Sequence, residues 1–278
     1  MPEIPELQAH AERLEADFGG TALAGFRPIT FTALKTAVPD PSMAEGSPLR
    51  SVGRRGKYLI LSFGSLSFVV HLMQGGRLRP DEKQSAKPRG GIARWTFADG
   101  RALLLTEPGT ERKAGVWVTD GDPLVQEPLT ALGPDAHTVD VDALTALLSE
   151  RSMRLHGFLR DQHGVAGIGR RLANEICHRA RLSPFATTAK LDREQVAALH
   201  EAIRNCVDES LADERGRDQM VKAAQRTAAV HHRAGQACPV CDDTIRSVTY
   251  RAYEVDYCPT CQTGGKVLAD NTTSRFLR

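Results

Sequence analysis

The chain has 278 residues, of which 41% are hydrophobic and 25% charged, with 36 basic against 34 acidic side chains. This composition is typical of an ordinary globular protein with room for two hydrophobic cores, and it excludes a low-complexity chain. The longest apolar runs, such as LSFVV and ALLLT, have the length of strands and exclude a membrane-spanning helix.

The amino-terminal segment MPEIPE has no basic start, apolar core or small-residue cleavage site, so it is not a secretion signal. Two interpretations of it are open. Proline next to a carboxylate can simply start a helix, or it can place a secondary amine beside an acid, which is a reactive pair. The segment that follows predicts a helix, because four apolar residues recur at helical spacing before Gly19 and Gly20, namely Ile4, Leu7, Ala11 and Leu14.

Residues 23–118 change to short strand-like runs separated by glycine and Asp-Gly turn signals. The clearest runs are KYLILSF, SLSFVVHLM, IARWTFADG and RALLLTE. One helix followed by a series of strands predicts an antiparallel sandwich or barrel. The segment RPDEKQSAKPRGG interrupts the strands, and we expect it to be a mobile loop.

Residues 132–140, LGPDAHTVD, predict a hinge, and beyond it helical patterns dominate. Two helices are predicted by VDALTALLSE and SMRLHGFLRDQ, and a glycine turn leading into a third helix is predicted by GIGRRLANEICHRARL. A fourth helix is long and amphipathic, and it opens with Asp192 as its cap, ahead of Glu194. Within residues 151–181 seven arginines stand against Asp161 and Glu175. This basic excess indicates a surface for a polyanion or, alternatively, a solvated helix face.

Two Cys-x-x-Cys pairs, CPVC and CPTC, lie sixteen residues apart near the carboxyl terminus. Four thiolates in two such pairs form the ligand set of a tetrahedral Zn²⁺ site, and the alternating segment between them predicts two strands of a zinc ribbon. Redox chemistry is the alternative, although one pair would suffice for it. A closed four-sulfur site leaves no position for a catalytic water, so we predict one structural zinc ion bound by Cys238, Cys241, Cys258 and Cys261.

Four other residues raise simpler expectations. Cys177 and Cys206 stand alone in helical patterns, and we expect them to be buried apolar residues. His231 and His232 lie close to the first cysteine pair and are possible competing ligands, although a backbone or DNA contact is the commoner role for such residues.

Five segments carry a resemblance to a known family: MPEIPE, RRGKYLIL at 54–61, HLMQGGRL at 71–78, DQHGVAGIGRRLANEI at 161–176, and the ribbon ending CPTCQ. Together and in this order they resemble the formamidopyrimidine-DNA glycosylase and endonuclease VIII family of DNA repair enzymes. The resemblance covers nearly the whole chain. It implies an α+β fold with an N-terminal helix and antiparallel β-sandwich at 1–131, a helical domain with a helix–two-turns–helix element at 132–230, and a zinc-ribbon finger at 231–278.

The resemblance implies a bifunctional DNA glycosylase and abasic-site lyase. Removal of Met1 would make Pro2 the amino terminus, and an α-amine that titrates near ~8 is partly uncharged and nucleophilic at neutral pH. By resemblance Pro2 attacks C1′ of the damaged nucleotide and forms a Schiff base, Glu3 is the general acid and base, and Glu6 positions the same region. Elimination of the 3′ and then the 5′ phosphate would cut the strand, with Lys57 holding a phosphate or assisting proton transfer.

The resemblance also implies DNA contacts. A nucleotide must leave the base stack before its C1′ is accessible, and the family fills the gap with side chains. Met73 or Gln74 is the candidate here, with Arg112 of EPGTERKAG as a second, while a core methionine at a strand end is the competing interpretation of Met73. The remaining predicted DNA-binding residues are Arg54, His71, His156, Gly169, Arg170 and Arg251. Simple solvation is an equal alternative for Arg54, and an ordinary tight turn between two helices is the alternative for the glycines before Arg170.

Several features depart from the family pattern. Arg170 follows GIG where the family carries asparagine, and His156 replaces a lysine and would bind phosphate if protonated. Tyr253 replaces an arginine that holds phosphate at the lesion, which leaves the lyase efficiency open even with Arg251 nearby. The segment ADERGRDQMVKAAQRTAAVHHRAG lacks the glycine-rich loop that closes over an oxidised purine. The substrate therefore stays open among oxidised pyrimidines, ring-opened purines and abasic sites.

Three classes of function account for parts of the sequence. The first is the repair enzyme, acting as a monomer on damaged, duplex DNA, in the cytoplasm and associated with the nucleoid because no targeting signal is present. The second is a non-catalytic damaged-DNA-binding protein of the same fold. The third, a zinc-ribbon protein of transcription or RNA handling, explains only the cysteines. Pro2, Glu3 and Lys57 favour the enzyme, because a pure binding protein needs no terminal proline beside an acid.

Overall fold

The computed structural model describes residues 1–109, 112–221, 225–250 and 253–268. The chain forms two compact units: the first unit is Met1–Leu132 with Glu214–Met220, and the second unit is Gly133–Asp213 with Val221–Arg278. The division after Leu132 falls in the segment predicted as a hinge. A separate ribbon domain beginning at residue 231 stays a prediction. No helix in the described ranges is both long enough and apolar enough to cross a bilayer.

The first unit begins with helix α1, Ile4–Phe18, as its apolar spacing predicts. The buried stripe of α1 includes Leu7, Leu14 and Phe18, which join the core beneath the strands. The helix ends at Gly19, whose N–H donates to the Glu15 carbonyl oxygen at 2.8 Å. A Cβ at Gly19 would lie 2.5 Å from that oxygen, so the close approach that ends the helix requires glycine.

Two antiparallel four-stranded sheets complete the first unit, in the strand orders β1-β6-β7-β5 and β2-β3-β4-β8. The strands are β1 Leu23–Pro28, β2 Leu49–Arg55, β3 Tyr58–Phe63, β4 Leu66–His71, β5 Arg77–Pro80, β6 Gly91–Phe97, β7 Ala102–Thr106 and β8 Gly115–Asp120. Side chains from both sheets, such as Phe68 and Trp95, share one core with α1. The predicted N-terminal helix with antiparallel sheets is confirmed.

The loop between β5 and β6, which the sequence predicts to be mobile, is attached to β6 by one arginine. Arg94 donates from Nε to Asp81 Oδ2 at 2.8 Å and from a terminal nitrogen to the Ser85 carbonyl oxygen at 2.7 Å. Both charged side chains of the ion pair are buried, at 7% and 9% exposure. Two points of the loop are thereby held.

The second unit contains the predicted helices, α2 Val141–Glu150, α3 Leu155–Arg160, α4 Arg170–Arg179 and α5 Arg193–Arg215. Asp192 caps α5 as predicted, but its partner is Gln195 and not Glu194. The Gln195 N–H donates to Asp192 Oδ1 at 2.9 Å, and the Asp192 N–H donates to Gln195 Oε1 at 3.1 Å. This reciprocal pair is a capping box, which satisfies two amides at the helix start.

The segment between the cysteine pairs forms the two predicted strands, β9 Arg246–Thr249 and β10 Glu254–Tyr257, which pair antiparallel. A short helix, α6 Pro259–Thr263, follows β10. Val248, Val255 and Tyr257 are buried, with at most 2% exposure, as the alternation predicts. Asp256, between the last two, is also fully buried, so the burial of β10 does not alternate.

Candidate functional site

The amino-terminal residues are buried in the first unit. Pro2 is buried, Glu3 is 3% exposed and Glu6 is fully buried. Glu3 caps α1 through a capping box with Glu6, in which the Glu3 N–H donates to Glu6 Oε2 at 2.6 Å. Glu6 therefore holds the backbone at Glu3. The nitrogen of Pro2 is in a peptide bond with Met1, so a secondary amine forms there only when Met1 is removed.

Lys57 and His71 lie at one end of the sheet that contains β3 and β4. Lys57 precedes β3 and is 9% exposed, and His71 ends β4, where it pairs with Tyr58 at a ring separation of 4.6 Å. Burial, followed by the charges of Lys57 and of the chain amino terminus, lowers the pKa of His71 to about 4. The fold thus brings the amino terminus, Lys57 and His71 within electrostatic range of one another.

His71 is neutral at neutral pH, and its tautomer follows from a hydrogen bond. The Met73 N–H donates to His71 Nδ1 at 3.2 Å. Because Nδ1 accepts, the proton of the neutral ring is on Nε2, which is a hydrogen-bond donor. A neutral donor at this position suits an oxygen of a sugar or a phosphate.

The HLMQGG loop presents one of its two candidate gap-filling side chains. Met73 has a φ of 54° and packs against the core, which agrees with its interpretation as a core methionine, whereas Gln74 is exposed. The Gly76 N–H donates to the Leu72 carbonyl oxygen at 2.9 Å, and a Cβ at Gly76 would lie 2.0 Å from that oxygen. Glycine closes the turn, and the turn directs Gln74 toward solvent.

Glu107 binds the backbone directly after Arg112, a role that sequence reasoning missed. One carboxylate oxygen of Glu107 accepts the N–H groups of Lys113 at 2.6 Å and Ala114 at 2.7 Å, and the residue is 5% exposed. Arg112, next to this anchor, is exposed. The only signal in the sequence was an acidic residue directly after an apolar strand.

Arg54 lies at the end of β2, in the hairpin that carries Lys57. It is half-buried and donates from a terminal nitrogen to the Gly56 carbonyl oxygen at 3.1 Å. This contact supports the turn before Lys57.

The turn between α3 and α4 is shaped by the side chain of Gln162. Its Nε2 donates to the carbonyl oxygens of Arg160 at 2.8 Å and Ile168 at 3.0 Å, and its Oε1 accepts the Gly167 N–H at 2.9 Å. Gly169 is then the N-cap of α4, and the half-exposed Arg170 is its first residue. The first amides of a helix have no partner within it, and together with Arg170 they suit a phosphate.

His156 is buried in the second unit, at 3% exposure. Burial, followed by the charge of Arg160, lowers its pKa to about 3. The ring is therefore neutral at neutral pH, and the protonated form required for the predicted phosphate contact is not populated. The predicted contact of Arg251 lies outside the described residues.

A buried polar network connects α4 to the ribbon, and sequence reasoning missed it. Asn174 Nδ2 donates to His231 Nδ1 at 3.0 Å and to Asp256 Oδ2 at 3.1 Å, and the His232 N–H donates to the same oxygen at 2.8 Å. His231, His232 and Asp256 offer possible metal-ligand atoms within 4.8 Å of one another. Because the Asn174 amide already bridges His231 and Asp256, we interpret the group as structural.

Glu175, next to Asn174 on α4, holds the segment that leads into the ribbon. Its carboxylate accepts the N–H groups of Ala229 at 2.6 Å, Val230 at 3.0 Å and His231 at 2.9 Å. Three amides on one carboxylate form a strong anchor.

The sulfur atoms of the four cysteines lie within 4.8 Å of one another. Two Sγ pairs are separated by 3.4 Å and a third by 3.8 Å. Zinc–sulfur bonds of about 2.3 Å give tetrahedral edges of about 3.8 Å, so this arrangement fits a Zn²⁺ ion. The residues of the cluster are Cys238, Cys241, Cys258 and Cys261.

His178 on α4 supports the cysteine cluster and was also missed. Its Nε2 lies 3.3 Å from Cys238 Sγ, and the side chain is buried. Burial raises the pKa of Cys238, but N–H donors from Val240, Cys241 and His178 outweigh it, so the pKa is lowered. Such donors favour the thiolate form that binds a metal.

Two family models match most of the chain. Residues 1–117 match the formamidopyrimidine-DNA glycosylase N-terminal domain, and residues 130–221 match the formamidopyrimidine-DNA glycosylase H2TH domain. The formamidopyrimidine-DNA glycosylase of Chloroflexus aurantiacus is 31% identical over 276 residues, which cover 94% of this chain and 98% of that relative.

Solved structures share the fold. The MutM (Fpg) protein of Thermus thermophilus has a TM-score of 0.82 and 26% identity, over 96% of this chain and 100% of that chain. The Lactococcus lactis formamidopyrimidine-DNA glycosylase, solved non-covalently bound to DNA containing an abasic site, has a TM-score of 0.80 and 20% identity, over 94% and 99% of the two chains.

Proposed function

Because the chain belongs to the formamidopyrimidine-DNA glycosylase family, we propose that this DNA glycosylase is bifunctional and also cuts the strand, through a Schiff base on Pro2. The observation that carries the proposal is the grouping of the amino terminus with Lys57 and His71, next to the buried pair of Glu3 and Glu6. A nucleophile, an acid and a cation are the groups that this chemistry needs.

The first step forms the covalent bond to DNA. After removal of Met1, the uncharged amine of Pro2 attacks C1′ as the bond from C1′ to the damaged base breaks and the base leaves with a proton. Glu3 protonates the ring oxygen, the sugar opens, and the lone pair of Pro2 completes an iminium ion at C1′. The capping box with Glu6 keeps Glu3 next to the nucleophile.

The second step cuts the strand. Loss of a proton from C2′ sends an electron pair toward the iminium ion, and the 3′ phosphate leaves. A further elimination releases the 5′ phosphate, and hydrolysis of the iminium ion returns the free amine. Lys57 supplies a fixed positive charge for a departing phosphate, and the Nε2 proton of His71 supplies a neutral donor.

The proposed substrate is damaged duplex DNA, which the protein binds as a monomer. The abasic-site-containing DNA bound by the Lactococcus lactis protein supports damaged DNA as the substrate. Arg54, Arg112, Gly169 and Arg170 are the proposed contacts with the DNA backbone, and Gln74 is the proposed gap-filling side chain. Single-copy mass in light scattering would test the monomer, and co-localisation of a fluorescent fusion with the nucleoid would test the proposed cytoplasmic location.

We assign the four-cysteine cluster to one structural Zn²⁺ ion, which would hold the ribbon in its fold. The donor set of four sulfurs and the support from His178 fit this ion. Elemental analysis should find about one zinc per chain, and Cys258→Ser should abolish it. Retention of full zinc content in Cys258→Ser would contradict the assignment.

Borohydride trapping tests the proposed function directly. Purified protein, with Met1 removal verified by mass spectrometry, is incubated with duplexes that each contain an abasic site, 8-oxoguanine, a ring-opened purine or an oxidised pyrimidine. A covalent complex should form, and the lesion that traps best identifies the substrate. Pro2→Gly should retain DNA binding and form much less of the complex, because its amino terminus is a primary and not a secondary amine.

Pro5→Ala is the matched control, because Pro5 lies in the first turn of α1 but carries no free amine. It should retain the trap. Peptide mapping of the trapped complex locates the bond, and attachment at any residue other than the amino-terminal one would refute the Schiff base on Pro2. Binding to all four duplexes without any trap would instead indicate the non-catalytic damaged-DNA-binding protein.

A further inference from the structure

The tip of the ribbon hairpin carries an aromatic stack. The Tyr250 N–H donates to the Tyr253 carbonyl oxygen at 2.8 Å, directly beyond the paired residues of β9 and β10. The rings of Tyr250 and Tyr253 are nearly parallel, at 14° and a centroid separation of 4.8 Å. Tyr253 occupies the position at which the family resemblance leads one to expect an arginine.

Helix α3 places a cation on this stack. The guanidinium carbon of Arg160 lies 4.1 Å from the centroid of the Tyr253 ring. His156, four residues earlier on the same face of α3, is stacked at 15° and 6.1 Å from the same ring. Position 253 has no guanidinium of its own, but the guanidinium of Arg160 from α3 lies against its ring.

The contact with Tyr253 orients Arg160 but leaves its charge in place. A ring attracts a guanidinium through its quadrupole and carries no neutralising charge, and the N–H donors of the guanidinium point outward in its own plane. Two other arginines in the unit are paired with acids, namely Arg151 with Asp161 at 2.7 Å, and Arg179 with Glu209 through two bonds of 2.7 and 2.5 Å. Within the described ranges, Arg160 forms no ion pair and is half-exposed.

We infer that Arg160 binds a phosphate of the DNA and that Tyr253 is its positioning residue. This inference deepens the proposed function and rests on its DNA substrate. The planar guanidinium of Arg160 is already held by the Tyr253 ring, so it loses little further conformational entropy when it binds a ligand. Two of its outward N–H groups match two oxygens of a phosphodiester. Arg160, held on the Tyr253 ring, would thus supply one phosphate contact of the second unit.

Salt-dependent binding tests the role of Arg160. The zinc-loaded full chain is titrated against a fluorescein-labelled duplex with a tetrahydrofuran abasic analogue, from about 50 to 200 mM KCl. Arg160→Ala should weaken binding about tenfold and reduce the slope of log K against log salt by about 0.9. Arg160→Lys should keep the slope, because it keeps the charge. Arg179→Ala is the matched control, and its slope should equal that of the wild type because Glu209 already neutralises Arg179.

A mutant cycle tests the positioning role of Tyr253. Tyr253→Leu should weaken binding with the slope retained, whereas Tyr253→Phe should bind like the wild type because it keeps the ring. Tyr253→Leu should have no further effect in the Arg160→Ala background. Thermal melting and zinc content establish that each variant is folded.

Two results would overturn the inference: an unchanged salt slope in a folded Arg160→Ala variant, or full additivity of the two substitutions. If the wild type traps lesions normally while Arg160→Ala keeps its slope, the inference fails and the proposed function stands. If the wild type does not bind the duplex at all, the proposed function fails first.

Discussion

Replacing Glu107 with alanine should lower the free energy of unfolding more than a substitution of one exposed residue does, because the Glu107 carboxylate accepts hydrogen bonds from two backbone N–H groups. Glu107 is 5% exposed and accepts from Lys113 at 2.6 Å and Ala114 at 2.7 Å. In the alanine variant water can reach the N–H of the exposed Lys113, whereas the N–H of the buried Ala114 would be left without a partner. A hydrogen bond to a charged group contributes about 1.5–3 kcal/mol, and a buried unsatisfied N–H costs about 1–3 kcal/mol.

The expected loss in the free energy of unfolding for Glu107→Ala is therefore about 2–4 kcal/mol. Glu107→Gln should lose less, because its amide oxygen still accepts, although without the charge. Urea denaturation measures both, with Glu82→Ala as an exposed control expected within about 0.5 kcal/mol of the wild type. Amide exchange at Ala114 should accelerate in the alanine variant. A loss below about 0.5 kcal/mol, or equal losses for the two variants, would refute the reasoning that the carboxylate anchors the backbone at Lys113 and Ala114.

Two further predictions concern the first unit. Burial is the main cause that lowers the pKa of His10 to about 4. The hydrogen bond to the Leu78 carbonyl oxygen opposes this shift, and the charges of Arg13 and Arg77 add to it. Between pH 6.5 and 4 the unfolded state binds a proton that the folded state does not, so stability should fall with falling pH by about 1.4 kcal/mol per pH unit from this group. His10→Gln, which keeps a donor for Leu78, should flatten the dependence of the unfolding free energy on pH, and an unchanged slope would contradict the assignment. Met73→Ala should lower the melting temperature, because Met73 packs on the core. Gln74→Ala should leave the melting temperature unchanged and slow base excision in single-turnover assays. The opposite pattern would make Met73 the gap-filling residue.

The features that the sequence alone determined are local ones. The spacing of apolar residues determined α1, the Asp192 side chain determined the start of α5, and alternation determined β9 and β10. The two Cys-x-x-Cys pairs indicated the four-cysteine cluster, because two cysteines separated by two residues are already close in a turn. The order of five short motifs was enough to indicate the family. All of these signals lie within a few residues of the structure that they predict.

Tertiary structure decided the contacts between distant residues. The burial of His156, the bridge from Asn174 to Asp256 across 82 residues, and the position of Arg160 on Tyr253 leave no local pattern. The same holds for the grouping of the amino terminus with Lys57 and His71. Such contacts depend on which helix faces and strand ends the packing brings together. The identity of a residue states which chemistry it can perform, and only the packed fold decides whether its side chain is buried, neutral or beside a partner.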